Sequence, residues 1–258
     1  MSTPQLTAAE KARFETHGFL VLEGFLTARE CRPLEDEVDA LTARRAAGER
    51  PMVVDYPALA LLTSHPRMMA LVGQLMAGRA FAMHHIHAAR HDAGLRGVAW
   101  HQDYEQVPQT NRSHLMVHVF YYPVGLNGKI GDLLVVPGSQ RRVVANDALV
   151  IFGTENLPGS VTVDRLPRGS AVIVHSALFH ARRAKPGGEG SPRYFIDVSY
   201  CQNGIRWPGY PGVEGINTKL LAIGADRDGR YPWLYDSTRF FDQRAVRGRM
   251  RGVRGSMV

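Results

Sequence analysis

The apolar positions change period along the chain. Residues 8–17 (AAEKARFETH) predict a helix that stops at Gly18, and Phe19–Leu22 predicts a short strand. Thr27 followed by Glu30 is a capping-box pattern, and the helix it opens should run to about Ala47 and end at Gly48, with Pro33 making its start irregular or shifted. A third helix is expected over His65–Ala77, closed by Gly78. From residue 81 onward the texture is that of strands: Phe81–Ala89, Val98–Asp103, His114–Tyr122, Asp132–Val136, Val161–Arg165, Ala171–His175 and Tyr194–Tyr200. Gly, Pro and Asn clusters such as Pro137-Gly138-Ser139 separate them. Helices followed by many short strands predict a mainly β fold, a jelly-roll (double-stranded β-helix) core with flanking N-terminal helices.

At 258 residues the chain reads as one domain: a mostly helical flank over 1–78, the jelly-roll core over 79–200, and covering loops with a basic C-terminal tail over 201–258. The net charge of +7 is concentrated near the end, where six arginines from Arg239 onward face one acid, Asp242. The remainder is close to neutral, which argues against a nucleic-acid surface, and the tail reads as a solvated end. No apolar run is long enough for a membrane span, the polar start does not read as a secretory signal, and Cys31 and Cys201 read as reduced thiols. These features predict a cytoplasmic protein; oligomeric state is left open.

Candidate chemistry is concentrated in the strand region, which holds nine of the eleven histidines. His101 and Asp103 in Trp100-His-Gln-Asp103 stand two apart, so on an extended strand both face one side. His180, arriving from a distant strand, completes a 2-His-1-carboxylate face with open positions opposite, the arrangement suited to non-haem Fe(II) and O2.

The order of the surrounding motifs adds a co-substrate. After WHQD come Gly131-Asp-Leu-Leu-Val-Val-Pro-Gly-Ser139, then Gly169-Ser-Ala-Val-Ile-Val-His-Ser-Ala-Leu-Phe-His180, then Arg193 at the head of another strand. In this order, over roughly residues 14–200, the chain resembles the phytanoyl-CoA dioxygenase family of Fe(II)/2-oxoglutarate oxygenases. The resemblance implies that His101, Asp103 and His180 bind Fe(II), that Fe(II), 2-oxoglutarate and O2 are the cofactor and co-substrates, and that Arg193 pairs with the distal carboxylate of 2-oxoglutarate. A guanidinium forks two hydrogen bonds onto a carboxylate and keeps its charge. It also implies a strand that ends in His180.

Departures from the family pattern are Arg182, standing where a serine often contacts the same carboxylate, Gln140 in the Pro-Gly-Ser turn, and an insertion at Gly187–Gly190. His85 takes the place of a glutamine that helps hold 2-oxoglutarate, and His118, by alternation on its strand, is expected to face it with Tyr122 as a cap. His87 shares a face with His85, Tyr104 and Glu105 follow the iron motif on an expected substrate loop, and Arg112 is a candidate for an acidic substrate group. Trp100 reads as packing. The retained Asp103 favours hydroxylation or a related oxidation over halogenation, for which members of the superfamily carry a small residue instead.

The leading expectation is therefore an Fe(II)/2-oxoglutarate-dependent dioxygenase that hydroxylates an unactivated C–H bond of a small polar or anionic metabolite and decarboxylates 2-oxoglutarate to succinate. Two other readings stand beside it: a metal-dependent cupin-type isomerase or 2-oxoglutarate-independent oxygenase, which Arg193 disfavours, and a non-catalytic jelly-roll binding protein, which the intact ligand set disfavours.

Overall fold

The computed structural model describes residues 4–92, 94–107, 112–184 and 191–242. The insertion at Gly187–Gly190 and the basic tail from residue 243 lie outside them. Helix α1 (Ala8–His17) is followed by β1 (Phe19–Leu22), α2 (Ala28–Ala46), α3 (Pro57–Leu62) and α4 (Pro66–Leu75). The strands are β2 (Phe81–His91), β3 (Val98–His101), β4 (Met116–Tyr122), β5 (Leu126–Asn127), β6 (Asp132–Val135), β7 (Val161–Val163), β8 (Arg165–Leu166), β9 (Ser170–His175), β10 (His180–Arg183) and β11 (Arg193–Gln202). The chain closes with β12 (Trp207–Gly209), α5 (Val213–Ala222) and β13 (Phe240–Asp242).

Two antiparallel sheets form the core, a larger one in the order β1-β9-β4-β11-β2 and a smaller one in the order β3-β10-β6-β7. Period-two alternation splits the larger sheet by face. Val117, Val119 and Tyr121 of β4 and Ile196, Val198 and Tyr200 of β11 pack with apolar residues of α2, α3 and α4. Phe120 and Tyr122, from the opposite face of β4, join Leu133 and Val135 of the smaller sheet in a second cluster. The helices thus brace one face of the larger sheet, and the other meets the smaller sheet across the site.

Both capping boxes form, Thr7 with Glu10 and Thr27 with Glu30. Helix α2 runs continuously through Pro33, so the proline costs it neither start nor length. Gly18 ends α1 at φ +84°, where a Cβ would lie 2.6 Å from Gln140 Oε1. This close approach ties α1 to the Pro137–Gln140 turn: the Gly138 N–H donates to the His17 carbonyl at 3.1 Å, and the Gln140 amide donates to the Glu15 carbonyl at 3.1 Å.

The structure corrects several expectations. The third helix is shorter, Pro66–Leu75, and α3 precedes it unannounced. Strand pairing stops at His101 instead of Asp103. The covering segment contains a ten-residue helix, α5, and a parallel β12–β13 pair where only loops and short elements were expected. His180 does not end a strand. β9 finishes at His175, and His180 opens β10 after a turn.

Candidate active site

The WHQD segment divides its side chains by alternation. Trp100 is fully buried among Leu134, Phe179 and Ala181, and its indole N–H donates to the Glu155 carbonyl at 2.8 Å. Gln102, also turned away, donates to the Val144 carbonyl at 2.9 Å and accepts from Arg112 at 3.1 Å. With these two residues as anchors, His101 and Asp103 share the other face. Asp103 lies just past the ladder, where its N–H donates to the Ser176 carbonyl at 2.8 Å. His180 is placed by the Pro-Gly-Ser turn: Ser139 Oγ accepts the Phe179 N–H at 2.9 Å, and the Val136 N–H donates to the Phe179 carbonyl at 2.9 Å. It then pairs with His101 on one side and Val135 on the other.

His101 Nδ1 lies 2.7 Å from the Ala99 carbonyl and His180 Nδ1 lies 3.1 Å from the Leu178 carbonyl. A carbonyl can only accept, so each Nδ1 carries a hydrogen and Nε2 is the nitrogen each ring turns towards Asp103. His180 Nε2 lies 3.2 Å from Asp103 Oδ2, and His101 Nε2 lies 3.6 Å from Asp103 Oδ1. One donor atom from each of the three falls within 4.8 Å of the others, so the group could hold a metal ion. Burial alone would raise the Asp103 carboxyl, but His180 and the neighbouring imidazoles outweigh it and hold the group well below the usual carboxylate range. Burial pushes His101 down, whereas Asp103 outweighs burial at His180 and pushes it up, so an ion binding there would displace that proton.

Arg193 opens β11 on the same inner face and is 1% exposed. It donates to His91 Nδ1 at 3.1 Å and to the Tyr122 hydroxyl at 3.4 Å, while its Nε has no partner. Its guanidinium lies over Phe195 at 4.6 Å and Tyr122 at 5.2 Å from the ring centroids. Burial and the Arg193 charge push His91 down to about 3, so that ring accepts as a neutral imidazole. Burying a guanidinium on neutral partners is unfavourable and is relieved by an anion that forks onto it.

A cavity of about 700 Å³ joins these features. His101, Asp103, His180, Arg182 and Arg193 line it, with His85, His87 and Asp197 on the larger sheet. Met52, Val53, Val54 and Ile216 supply an apolar wall from outside the sheets.

A second polar cluster lies on the larger sheet. His118 Nδ1 is 2.9 Å from both oxygens of Asp197, and His85 Nε2 is 3.4 Å from Asp197 Oδ2. Ser199 Oγ lies 2.7 Å from His85 Nδ1. The structure therefore turns His85 and His118 onto Asp197 and Ser199, where the sequence suggested that they hold a co-substrate. Against burial, Asp197 pushes His118 up to about 9. The β2–β11 register slips so that Ser199 faces His85 while Tyr200 faces Met83. His84 is the extra residue of this bulge, and its ring meets His85 at 5.6 Å.

Two candidates fall elsewhere. Tyr104 is wholly buried, with its hydroxyl 2.6 Å from both Gln106 Oε1 and the His114 carbonyl and its ring edge-on to Trp207. It belongs to the core instead of a substrate loop. Arg112 donates to the Gln140 carbonyl at 2.7 Å and to Gln102, bridging the Pro-Gly-Ser turn and the WHQD segment. Glu105 accepts from the hydroxyl of Tyr210, a cavity-lining residue, at 3.0 Å, and burial raises its carboxyl. Arg182 lines the cavity while donating to the Arg96 carbonyl. His91, Asp197 and Tyr210 were missed. His91 and Asp197 lie on the inner faces of β2 and β11, an alternation that could have marked them, whereas Tyr210 comes from the covering segment with no periodic signal.

The phytanoyl-CoA dioxygenase (PhyH) family model matches residues 14–185. No curated protein matches the chain in sequence. Among solved structures, EctD from S. alaskensis with 2-oxoglutarate and 5-hydroxyectoine is similar at 18% identity and TM-score 0.64, covering 80% of this chain and 82% of that one. HygX from Streptomyces hygroscopicus with nickel and 2-oxoglutarate is similar at 18% identity and TM-score 0.63, covering 80% and 90%. The epimerase SnoN from nogalamycin biosynthesis is similar at 19% identity and TM-score 0.59, covering 75% and 80%.

Proposed function

The chain belongs to the phytanoyl-CoA dioxygenase family, and from that premise we propose that it is an Fe(II)- and 2-oxoglutarate-dependent oxygenase acting on a small molecule. His101, Asp103 and His180 would hold the iron, since their donor atoms converge and both Nδ1 atoms are already tied to carbonyls. The observation that carries the co-substrate is Arg193: a buried guanidinium whose hydrogen-bond partners are neutral, with one N–H unpaired, in the cavity that holds the triad. A cupin-type isomerase has no use for such a group.

Bound iron supplies the redox chemistry with O2. The overall balance is 2-oxoglutarate plus O2 plus substrate R–H giving succinate, CO2 and R–OH. The chain's own residues orient and exclude. Arg193 would fix the distal carboxylate beside the Tyr122 hydroxyl, and Phe195, packed on that guanidinium, and Phe120, beside His180, would keep water from the co-substrate. Ala99 and Leu178 hold the two imidazoles in the ligating tautomer. The polar groups near the triad and the apolar wall of Met52, Val53, Val54 and Ile216 suit a substrate with an apolar body and a polar end. His87 and Tyr210 line the same space, with Glu105 hydrogen-bonded to Tyr210, as candidate contacts. The test is succinate release from 2-oxoglutarate with Fe(II) and O2 across a substrate panel. No succinate with any substrate, together with no 2-oxoglutarate binding to the iron-loaded protein, defeats the proposal.

A further inference from the structure

We infer that His85, His118 and Asp197 form a second cation site, on the wall of the larger sheet, which takes one divalent transition-metal ion. It is built from residues separate from the His101–Asp103–His180 face and stands without it.

The placement is a product of register. Ser199 on β11 pairs with His118 on β4 and with His85 on β2, so the three lie abreast across adjacent strands. Asp197, two residues along β11, projects from the same face and reaches both imidazoles. Three hydrogen-bonded strands hold the donors, which gives the site the rigidity a metal centre needs.

The distances suit an ion. Ligand atoms bound at about 2.1 Å and separated by 90–109° lie ~3.0–3.4 Å apart. Here His118 Nδ1 is 2.9 Å from the Asp197 oxygens and His85 Nε2 is 3.4 Å from Oδ2. One donor atom from each residue lies within 4.8 Å of the others, as in the His101 group, and these two are the groups of this kind among the described residues. Ser199 Oγ at 2.7 Å from His85 Nδ1 orients that ring from behind, the usual support for a ligating histidine.

An ion on His118 Nδ1 would take the place of the proton that now bridges to Asp197. The cluster is also reachable: His85 and Asp197 border the cavity, which supplies an entry path and room for water ligands. Two imidazoles and one carboxylate select Zn(II), Mn(II), Fe(II) or Co(II) over Mg(II) and Ca(II), which prefer all-oxygen ligands.

The test is metal stoichiometry of the full chain, measured by mass spectrometry after anaerobic loading of the metal-stripped protein with Co(II) and removal of free ion. Wild type is expected to hold two ions, Asp103→Ala one, Asp197→Asn one, and the double variant none. Cobalt absorption bands should differ between the two single variants. His85→Gln repeats the measurement should Asp197→Asn fail to fold. One ion in wild type, or two retained in both Asp197→Asn and His85→Gln, overturns the inference. Loss of an ion in Asp103→Ala alone would leave the first site standing and remove the second.

Discussion

His101 and His180 are direct partners across the β3–β10 ladder, with ring centroids 4.3 Å apart although 79 residues separate them. The ladder sets the spacing of the two nitrogens, and Asp103 closes the triangle from just past its end. Replacing Asp103 with Ala removes one donor without touching the ladder. Iron content after reconstitution should fall by one ion per chain and succinate release should vanish, while the circular dichroism spectrum stays that of wild type. Retained succinate release at wild-type rate would remove Asp103 from the ligand set.

Arg193 is a buried cation with one N–H unpaired, so its replacement should separate stability from binding. In wild type, 2-oxoglutarate at 100 times its Kd should add about 2.7 kcal/mol of stability. Arg193→Met, of similar length and uncharged, should unfold near the wild-type temperature without ligand and show no rise with 2-oxoglutarate. Differential scanning fluorimetry in the presence of a redox-inert metal reads both. An equal rise in the variant would move the carboxylate anchor to Arg182.

Tyr104 offers a check on the boundary between core and site. Tyr104→Phe removes a buried hydroxyl that satisfies the His114 carbonyl and Gln106, which should cost about 1–3 kcal/mol. Urea denaturation should show this loss, and turnover per folded molecule should not change. A raised KM for substrate with unchanged stability would return Tyr104 to the substrate wall.

The convergence of His101, Asp103 and His180 was legible in the sequence because two of its members are neighbours: a spacing of two on a strand is local geometry, and motif order then brought in His180 and Arg193. The His85–His118–Asp197 cluster was not, because it exists only through the pairing of β2, β11 and β4 and a bulge at His84 that no local pattern announces. Tyr104 misled for a related reason. Alternation ends at Asp103, and the residue after it turns into a core that Trp207 supplies from a hundred residues away. The strands themselves were legible from their apolar runs, whereas α5 lies in a covering segment whose mixed composition reads as loop.

The Thr27–Glu30 capping box gives α2 a pH dependence. Burial would raise the Glu30 carboxyl, but the Thr27 backbone N–H, His65 and the Thr27 hydroxyl outweigh it and bring it down to about 2. A carboxyl whose folded value is lowered contributes stability above its unfolded value, near 4.5, and loses it as pH falls towards 2. Glu30 Oε2 accepts from the Thr27 N–H at 2.7 Å, so protonation weakens the start of the helix that braces the larger sheet. Glu30→Gln keeps a capping group and removes the titration. The variant should lie below wild type in stability by about 0.5–1 kcal/mol at pH 7. The gap should close between pH 4.5 and 2, measured as urea midpoints across that range. A gap that stays constant with pH would show that Glu30 does not couple to folding.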